Sequence, residues 1–181
     1  MLFRSGYQPM GGSTLRISTV ETARRANLSE SFFIRHTSAS STGGLCAIDG
    51  PNQWPNRPEG FRAALEQYDA ALRDLGLRLA RVMALALEQE PEAFLAHYFQ
   101  RPATALRLLH YPPARRSSDG AYGIAPHTDY GFVTLLAQDN QGGLEIRRAD
   151  GTWQPVPPQD ETFVVNIGNA LSLMKIGRAH V

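Results

Sequence analysis

The sequence lacks most of the features that mark secreted, membrane or nucleic-acid-binding proteins. One cysteine, Cys46, is present in 181 residues, so no disulfide can form within the chain, which agrees with a reducing compartment. A net charge of +1 provides no field that would attract nucleic acid or anionic lipid. No apolar run approaches the length of a membrane span, and residues 1–12 lack the apolar core of a signal peptide. We therefore predict a cytoplasmic protein that binds neither nucleic acid nor membranes, with Cys46 as a small buried hydrophobe.

Clear periodicity is also missing from residues 6–58, which are rich in glycine, serine and proline. A stretch of this length without pattern is unusual in a compact domain unless it is functional or packs on another segment. We interpret it as the remnant of an N-terminal region.

Two helices are predicted over residues 59–100. Pro91 ends the first helix and suits the first turn of the second, which runs through Tyr98. Charged residues on the other faces of the first helix, Asp69 among them, are predicted to be solvated. Alternating steps of four and three predict its buried apolar stripe, made of Phe61, Leu65, Tyr68, Leu72, Leu75, Leu79, Val82 and Ala86.

The apolar pattern shortens after Pro102, as is typical of strands. An Asp150-Gly151 pair between two of the strands is a strong hairpin signal. Short strands with many turns favour an antiparallel sandwich or jelly roll, covered by the long helix. The five predicted strands lie at residues 105–111, 132–137, 144–148, 153–156 and 162–167.

The segment around His127-Thr128-Asp129 carries the most chemistry. Residues two apart in an extended backbone point to the same side, so His127 and Asp129 could both reach one metal ion. Two histidines and one carboxylate form the facial triad of non-haem Fe(II) oxygenases, which leaves positions open for cosubstrate and dioxygen. Alone, a His-x-Asp spacing is more often structural than metal-binding.

Five sequence blocks in order make this spacing more specific. The blocks are Leu-Arg-Leu-Leu-His-Tyr-Pro at 106–112, Pro-His-Thr-Asp-Tyr-Gly at 126–131, Gly-Gly-Leu-Glu-Ile at 142–146, Trp-Gln-Pro-Val-Pro at 153–157 and Phe-Val-Val-Asn-Ile-Gly at 163–168. Together they resemble the isopenicillin N synthase-like family of non-haem Fe(II)/2-oxoglutarate-dependent oxygenases. The resemblance implies a fold that is mostly β with α, whose core is a double-stranded β-helix (jelly roll) with a long packing helix outside.

The resemblance also implies roles for individual residues. His127 and Asp129 match the first two iron ligands, and Tyr111 matches a tyrosine whose hydroxyl contacts 2-oxoglutarate in several members. Core packing is the alternative for Tyr111, and both interpretations stay open. His110 precedes Tyr111 and should face the other side of its strand, so it is not expected to be a ligand. The implied function is an Fe(II)- and 2-oxoglutarate-dependent dioxygenase acting on a small molecule.

The chain departs from the family pattern near its end. The family places a second histidine ligand, and then an arginine for 2-oxoglutarate, beyond an Asn-Ile-Gly-Asp-Ala-Leu block. Here the block at 166–171 has Asn169 in place of Asp, and His180 comes too early to match. Residues 175–181 can be encoded by a common short-read sequencing adapter, and residues 1–5 by its reverse complement. We therefore predict an incomplete jelly roll and a fragment that is inactive as given.

The predicted organisation follows from these observations. It consists of an artefact at 1–5, the N-terminal remnant at 6–58, a helical segment at 59–100, a partial dioxygenase domain at 101–174 and a second artefact at 175–181. Two other functions remain open. One is an isopenicillin N synthase-type oxidase that does not use 2-oxoglutarate, and the other is a jelly-roll module that binds a small molecule without catalysis. A hydrolytic zinc site is poorly supported, because no catalytic carboxylate is evident nearby.

Overall fold

The computed structural model of the chain describes residues 5–12, 25–36, 51–100, 102–113 and 122–176, without the side chains of 174–176. Contacts divide the chain into two compact units, Met1–His127 and Thr128–Val181, and each is described by itself. The predictions for Cys46 and His180 fall outside the described residues. Among the described segments, none of the helices combines the length and apolar character that a membrane span needs.

The first unit contains a three-stranded antiparallel sheet. Its strands are β1 (Gly6–Gln8), β2 (Glu30–His36) and β3 (Thr104–His110), in the order β1-β2-β3. Strand β3 was predicted within one residue at each end. Strands β1 and β2 were not predicted, because β1 is three residues long and the Phe-Phe-Ile run of β2 does not alternate with polar residues. The sheet thus gives order to part of the region that shows no pattern in the sequence.

One face of the sheet packs against an aromatic cluster. Phe32 of β2 lies with its ring centroid 5.1 Å from that of Phe61 and 5.9 Å from that of Trp54. Ile34, on the same face, is 3% exposed. Asn52 extends this arrangement beside β2, since its amide group accepts from the Arg35 N–H at 2.9 Å and donates to the Arg35 carbonyl at 2.7 Å.

The opposite face of the sheet carries a polar connection across all three strands. Arg107 Nε donates to Ser31 Oγ at 3.1 Å, and an Arg107 terminal nitrogen donates to Gln8 Oε1 at 3.4 Å. Ser31 Oγ also donates to the Gln8 oxygen at 3.3 Å. Register places these residues on one side, because Ser31 pairs with Gln8 and Arg107 pairs with Phe33.

Helices α1 (Phe61–Ala86) and α2 (Pro91–Tyr98) begin and end where the sequence predicts. The α2 N-terminus is capped by the Glu90 carboxylate, which accepts from the N–H groups of Glu92 at 3.2 Å and Ala93 at 2.6 Å. With Pro91 at the first helical position, the cap explains why the chain turns here.

The predicted buried stripe of α1 is wrong in part. Tyr68 and Val82 are 40% and 61% exposed, respectively. Asp69 was predicted to be solvated, yet it is buried, and its carboxylate accepts from Arg73 Nε at 3.0 Å. Helix α2 packs against α1, and small side chains permit close approach of two helices. The buried positions of α1 are Leu65, Asp69, Ala80 and Ala84.

The second unit contains two antiparallel strand pairs and a helix. Strand β4 (Val133–Leu136) pairs with β7 (Val164–Ile167), and β5 (Glu145–Arg147) pairs with β6 (Trp153–Pro155). The strands are shorter than predicted. Helix α3 (Asn169–Ile176) was not predicted, and it continues past residue 174. The described part of the chain is therefore a mixture of helix and strand, without a closed barrel.

The predicted hairpin at Asp150-Gly151 is confirmed. Asp150 Oδ1 accepts from the Thr152 N–H at 2.9 Å and from Thr152 Oγ1 at 2.6 Å. Gly151 has a φ of 87°, a left-handed conformation that favours glycine. These bonds also hold the pKa of the Asp150 carboxyl below its usual range, the Thr152 hydroxyl being the largest cause.

Candidate metal centre

His127 is presented by a short segment at the end of the first unit. Its Nδ1 lies 2.9 Å from the Ala125 carbonyl oxygen. A carbonyl can only accept, so Nδ1 carries the proton and Nε2 carries the lone pair that a metal ion needs. Metal-ligating histidines are commonly oriented in this way, with the second ring nitrogen bonded to a carbonyl or carboxylate. The local geometry of His127 therefore suits a metal ligand.

The segment that carries His127 is held by a part of the chain far away in sequence. The Ala125 N–H donates to Asn27 Oδ1 at 3.1 Å, and the Leu28 N–H donates to the Tyr122 carbonyl at 2.9 Å. Asn27 and Ala125 are 3% and 2% exposed, respectively. Asn27 was not predicted as a site residue, since nothing in its sequence neighbourhood resembles a site motif.

Asp129 lies in the second unit, where the start of α3 holds its backbone. Its carbonyl accepts from the Asn169 N–H at 2.8 Å, and Asn169 Nδ2 donates to Thr128 Oγ1 at 3.2 Å. Asn169 occupies the position where the family pattern has aspartate. Its amide thus connects to the residue between the two predicted ligands, and its backbone connects to one of them.

Tyr111 directly follows β3 and is 46% exposed. Burial of part of the ring raises the pKa of its hydroxyl, while the positive charge of Arg107 acts in the opposite direction. The hydroxyl therefore stays protonated at neutral pH, and it can donate a hydrogen bond to a carboxylate.

His110 faces the other side of β3, as predicted, and its Nδ1 lies 2.7 Å from Glu30 Oε1.

The donor types fit Fe(II), because imidazole nitrogen and carboxylate oxygen are its ligands in the facial triad. Within the described ranges, no three His, Cys, Asp or Glu side chains form a group that could hold a metal ion. The sequence thus predicts two ligands, and the described residues do not supply a third. The roles of His127, Asp129 and Tyr111 stay predictions.

Similar proteins show the family. Residues 95–181 match the 2OG-Fe(II) oxygenase superfamily. The chain is 37% identical over 138 residues to clavatol oxidase claD of Penicillium crustosum, covering 72% of this chain and 41% of that protein. It is 38% identical over 139 residues to the 2-oxoglutarate-dependent dioxygenase citB of Monascus ruber, covering 72% of this chain and 42% of that protein.

A solved structure agrees with these relatives. JOX2, crystallised with 2OG, Fe and JA, superimposes with a TM-score of 0.72 at 28% identity, over 93% of this chain and 46% of that one. This similarity supports the predicted jelly-roll class, since the structural neighbours have that fold. The chain spans less than half the length of the relatives named here. The predicted resemblance is confirmed, and residues 95–181 belong to the 2OG-Fe(II) oxygenase superfamily.

Proposed function

We propose that the protein is an Fe(II)- and 2-oxoglutarate-dependent dioxygenase acting on a small molecule. The observation that carries this proposal is the contact of His127 Nδ1 with the Ala125 carbonyl oxygen at 2.9 Å, which directs the lone pair of Nε2 to a metal ion. The 2-oxoglutarate-dependent relative citB and the iron- and 2OG-containing JOX2 structure favour this function over an oxidase that does not use 2-oxoglutarate.

In the proposed mechanism, His127 and Asp129 would hold Fe(II), with the aspartate supplying negative charge to the cation. When bound, iron and 2-oxoglutarate would together supply the oxidising chemistry. Tyr111 would orient 2-oxoglutarate by donating a hydrogen bond from its hydroxyl group to a carboxylate oxygen. The bond to the Ala125 carbonyl keeps the His127 ring in one orientation.

The substrate class and the location are also proposals. A small-molecule substrate is supported by the name of the relative clavatol oxidase. A cytoplasmic location is supported by the single cysteine, Cys46. The absence of nucleic-acid binding rests on the net charge of +1 and stays a prediction. The domain boundaries stay predictions as well.

The test is an anaerobic calorimetric titration of the chain with Fe(II), with and without 2-oxoglutarate. We expect weak binding that is lost in His127→Ala and in Asp129→Ala, because each removes one of two assigned ligands. His110→Ala is the matched control, since this histidine bonds Glu30 instead. Unchanged Fe(II) affinity in His127→Ala would contradict the assignment.

A second measurement tests turnover by the chain. We expect little or no succinate in the presence of Fe(II), 2-oxoglutarate and dioxygen, because the described residues do not supply a third metal ligand. Tight stoichiometric iron binding with succinate production would contradict the prediction that the chain is inactive as given, and it would support the dioxygenase function.

A further inference from the structure

We propose that Asn27 is a positioning residue for His127, acting through the backbone of Ala125; this inference rests on the proposed role of His127 as a metal ligand. The Asn27 side chain accepts the Ala125 N–H at 3.1 Å, and the Ala125 carbonyl accepts from His127 Nδ1 at 2.9 Å. A single alanine thus connects a buried amide to the imidazole.

The backbone of Ala125 is restricted by the proline that follows it. Pro126 follows Ala125, and its ring restricts the backbone of the preceding residue to extended conformations. The N–H that Asn27 binds and the carbonyl that His127 binds therefore keep a nearly constant relative orientation. Movement of the Asn27 oxygen is passed to the carbonyl that orients the ring.

Burial makes the Asn27 bond difficult for water to replace. Asn27 is 3% exposed and Ala125 is 2% exposed. A buried N–H that loses its acceptor keeps its desolvation cost, so the segment has to shift to regain a partner. The adjacent bond from the Leu28 N–H to the Tyr122 carbonyl, at 2.9 Å, aligns the two segments and directs Asn27 toward Ala125.

The chemical benefit is preorganisation of a ligand. An imidazole on an unconstrained segment samples both neutral tautomers and several ring orientations, and only one of these presents Nε2 correctly. Groups that orient a metal-ligating histidine change metal affinity by about 10–100-fold when removed. Asn27 would orient His127 in this way without touching the metal ion.

The test reads the tautomer of His127 directly, in the metal-free chain. Nitrogen-15 NMR of labelled histidine side chains, in mildly alkaline buffer, distinguishes protonated Nδ1 from protonated Nε2, and His127→Gln assigns the signal. We expect the Nδ1-protonated form in the unmodified chain. We expect a mixture of tautomers in Asn27→Leu, which keeps the branched shape of the side chain but removes the acceptor oxygen.

Two further variants serve as rescue and control. Asn27→Asp keeps an acceptor oxygen at the same place, so we expect the Nδ1-protonated form to persist. Ser29→Ala is the matched control, because Ser29 is also 3% exposed and its Oγ has no hydrogen-bond partner within the described part of the chain. Circular dichroism checks that every variant is folded. If Asn27→Leu does not fold, Asn27→Ser replaces it, because the shorter serine side chain does not reach the Ala125 N–H.

Anaerobic titration of the same variants with Fe(II) alone separates this inference from the proposed function. We expect affinity about tenfold or more weaker in Asn27→Leu than in Ser29→Ala. A folded Asn27→Leu or Asn27→Ser variant that keeps the His127 tautomer unchanged would overturn the positioning role. Unchanged affinity in His127→Ala would instead overturn the metal assignment, while the tautomer measurement would still decide the role of Asn27.

Discussion

The edge of the Tyr111 ring lies against the backbone of Gly123, so that a methyl group on Gly123 would come within 2.8 Å of Tyr111 Cδ1 and 3.0 Å of Cε1. Real side-chain carbons do not approach so closely, and the ring occupies space that only a glycine leaves open. The contact joins the residue predicted to bind 2-oxoglutarate to the segment that leads to His127.

We therefore expect Gly123→Ala to displace the Tyr111 ring and to destabilise the chain by about 1–3 kcal/mol through overpacking. Urea unfolding measures the stability, and the ring signals of Tyr111 in an NMR spectrum report its displacement. In a Tyr111→Ala background the same substitution should cost much less. Equal costs in the two backgrounds would show that the ring is not the obstacle.

A matched glycine in α1 serves as the control. A Cβ at Gly76 would meet nothing within 4 Å. Since alanine favours a helix over glycine by up to about 1 kcal/mol, Gly76→Ala should stabilise the chain. The opposite signs of the two changes distinguish a steric effect from a general effect of adding a methyl group.

Gly168 is the most crowded of the described glycines in the second unit. Its N–H donates to the Phe132 carbonyl at 3.1 Å, and a Cβ there would lie 1.9 Å from the Gly131 carbonyl oxygen. Because the obstacle is backbone, we expect Gly168→Ala to cost roughly 3 kcal/mol or more and to increase hydrogen exchange at the Asn169 N–H that binds Asp129. Gly131→Ala, with open space around its Cβ, should change stability by less than about 1 kcal/mol.

Glu30 joins β1 and β3 through two hydrogen bonds, from the Tyr7 hydroxyl and from His110 Nδ1. These bonds hold the pKa of Glu30 below its ordinary value of 4.5, and the bond from Tyr7 has the larger effect. Because the folded pKa is the lower one, the stabilising contribution is present above about pH 4.5 and is lost as pH falls through the folded pKa. We expect Tyr7→Phe to weaken this acid dependence, measured by urea unfolding at a series of pH values.

Tyr7 itself gives a second, opposite dependence. Its bond to Glu30 raises the pKa of the phenol above 10.0, so its contribution is present below that pH and is lost as pH rises through the folded value. Glu30→Gln should reduce both dependences. A stability profile of Glu30→Gln that matches the unmodified chain at both ends of the pH range would contradict this account.

Arg107 connects three strands on the other face of the sheet. Burial lowers the pKa of its guanidinium, and the nearby Tyr111 acts in the opposite direction. Arg107→Met should lower the free energy of unfolding by about 1–3 kcal/mol, because Ser31, which is 4% exposed, loses a charged hydrogen-bond donor. Arg81→Met is the control, since the Arg81–Glu92 pair is exposed and such pairs contribute less than about 1 kcal/mol. Equal effects would argue against a specific role for Arg107.

Local signals were sufficient for several elements and for the family. The bounds of α1 and α2 follow from apolar periodicity and Pro91, and the β5–β6 hairpin follows from Asp150-Gly151. Each of these depends on residues close together in the chain, so the sequence shows them directly. The resemblance to the family follows from the order and spacing of five motif blocks, which can be read without the structure.

The remaining features arise from contacts between distant segments, which leave no periodic pattern. Strand β2 is defined by its pairing with β3, and Asn27 meets Ala125 across 98 positions of sequence. The burial of Asp69 depends on its ion pair with Arg73 and on how α1 packs. The position of the Tyr111 ring depends on the space left by Gly123. Local chemistry thus determined helices α1 and α2, the hairpin and the candidate ligands. Tertiary hydrogen bonding decided how the segment that leads to His127 is held, because Asn27 and Leu28, which bond to it, lie far away in sequence.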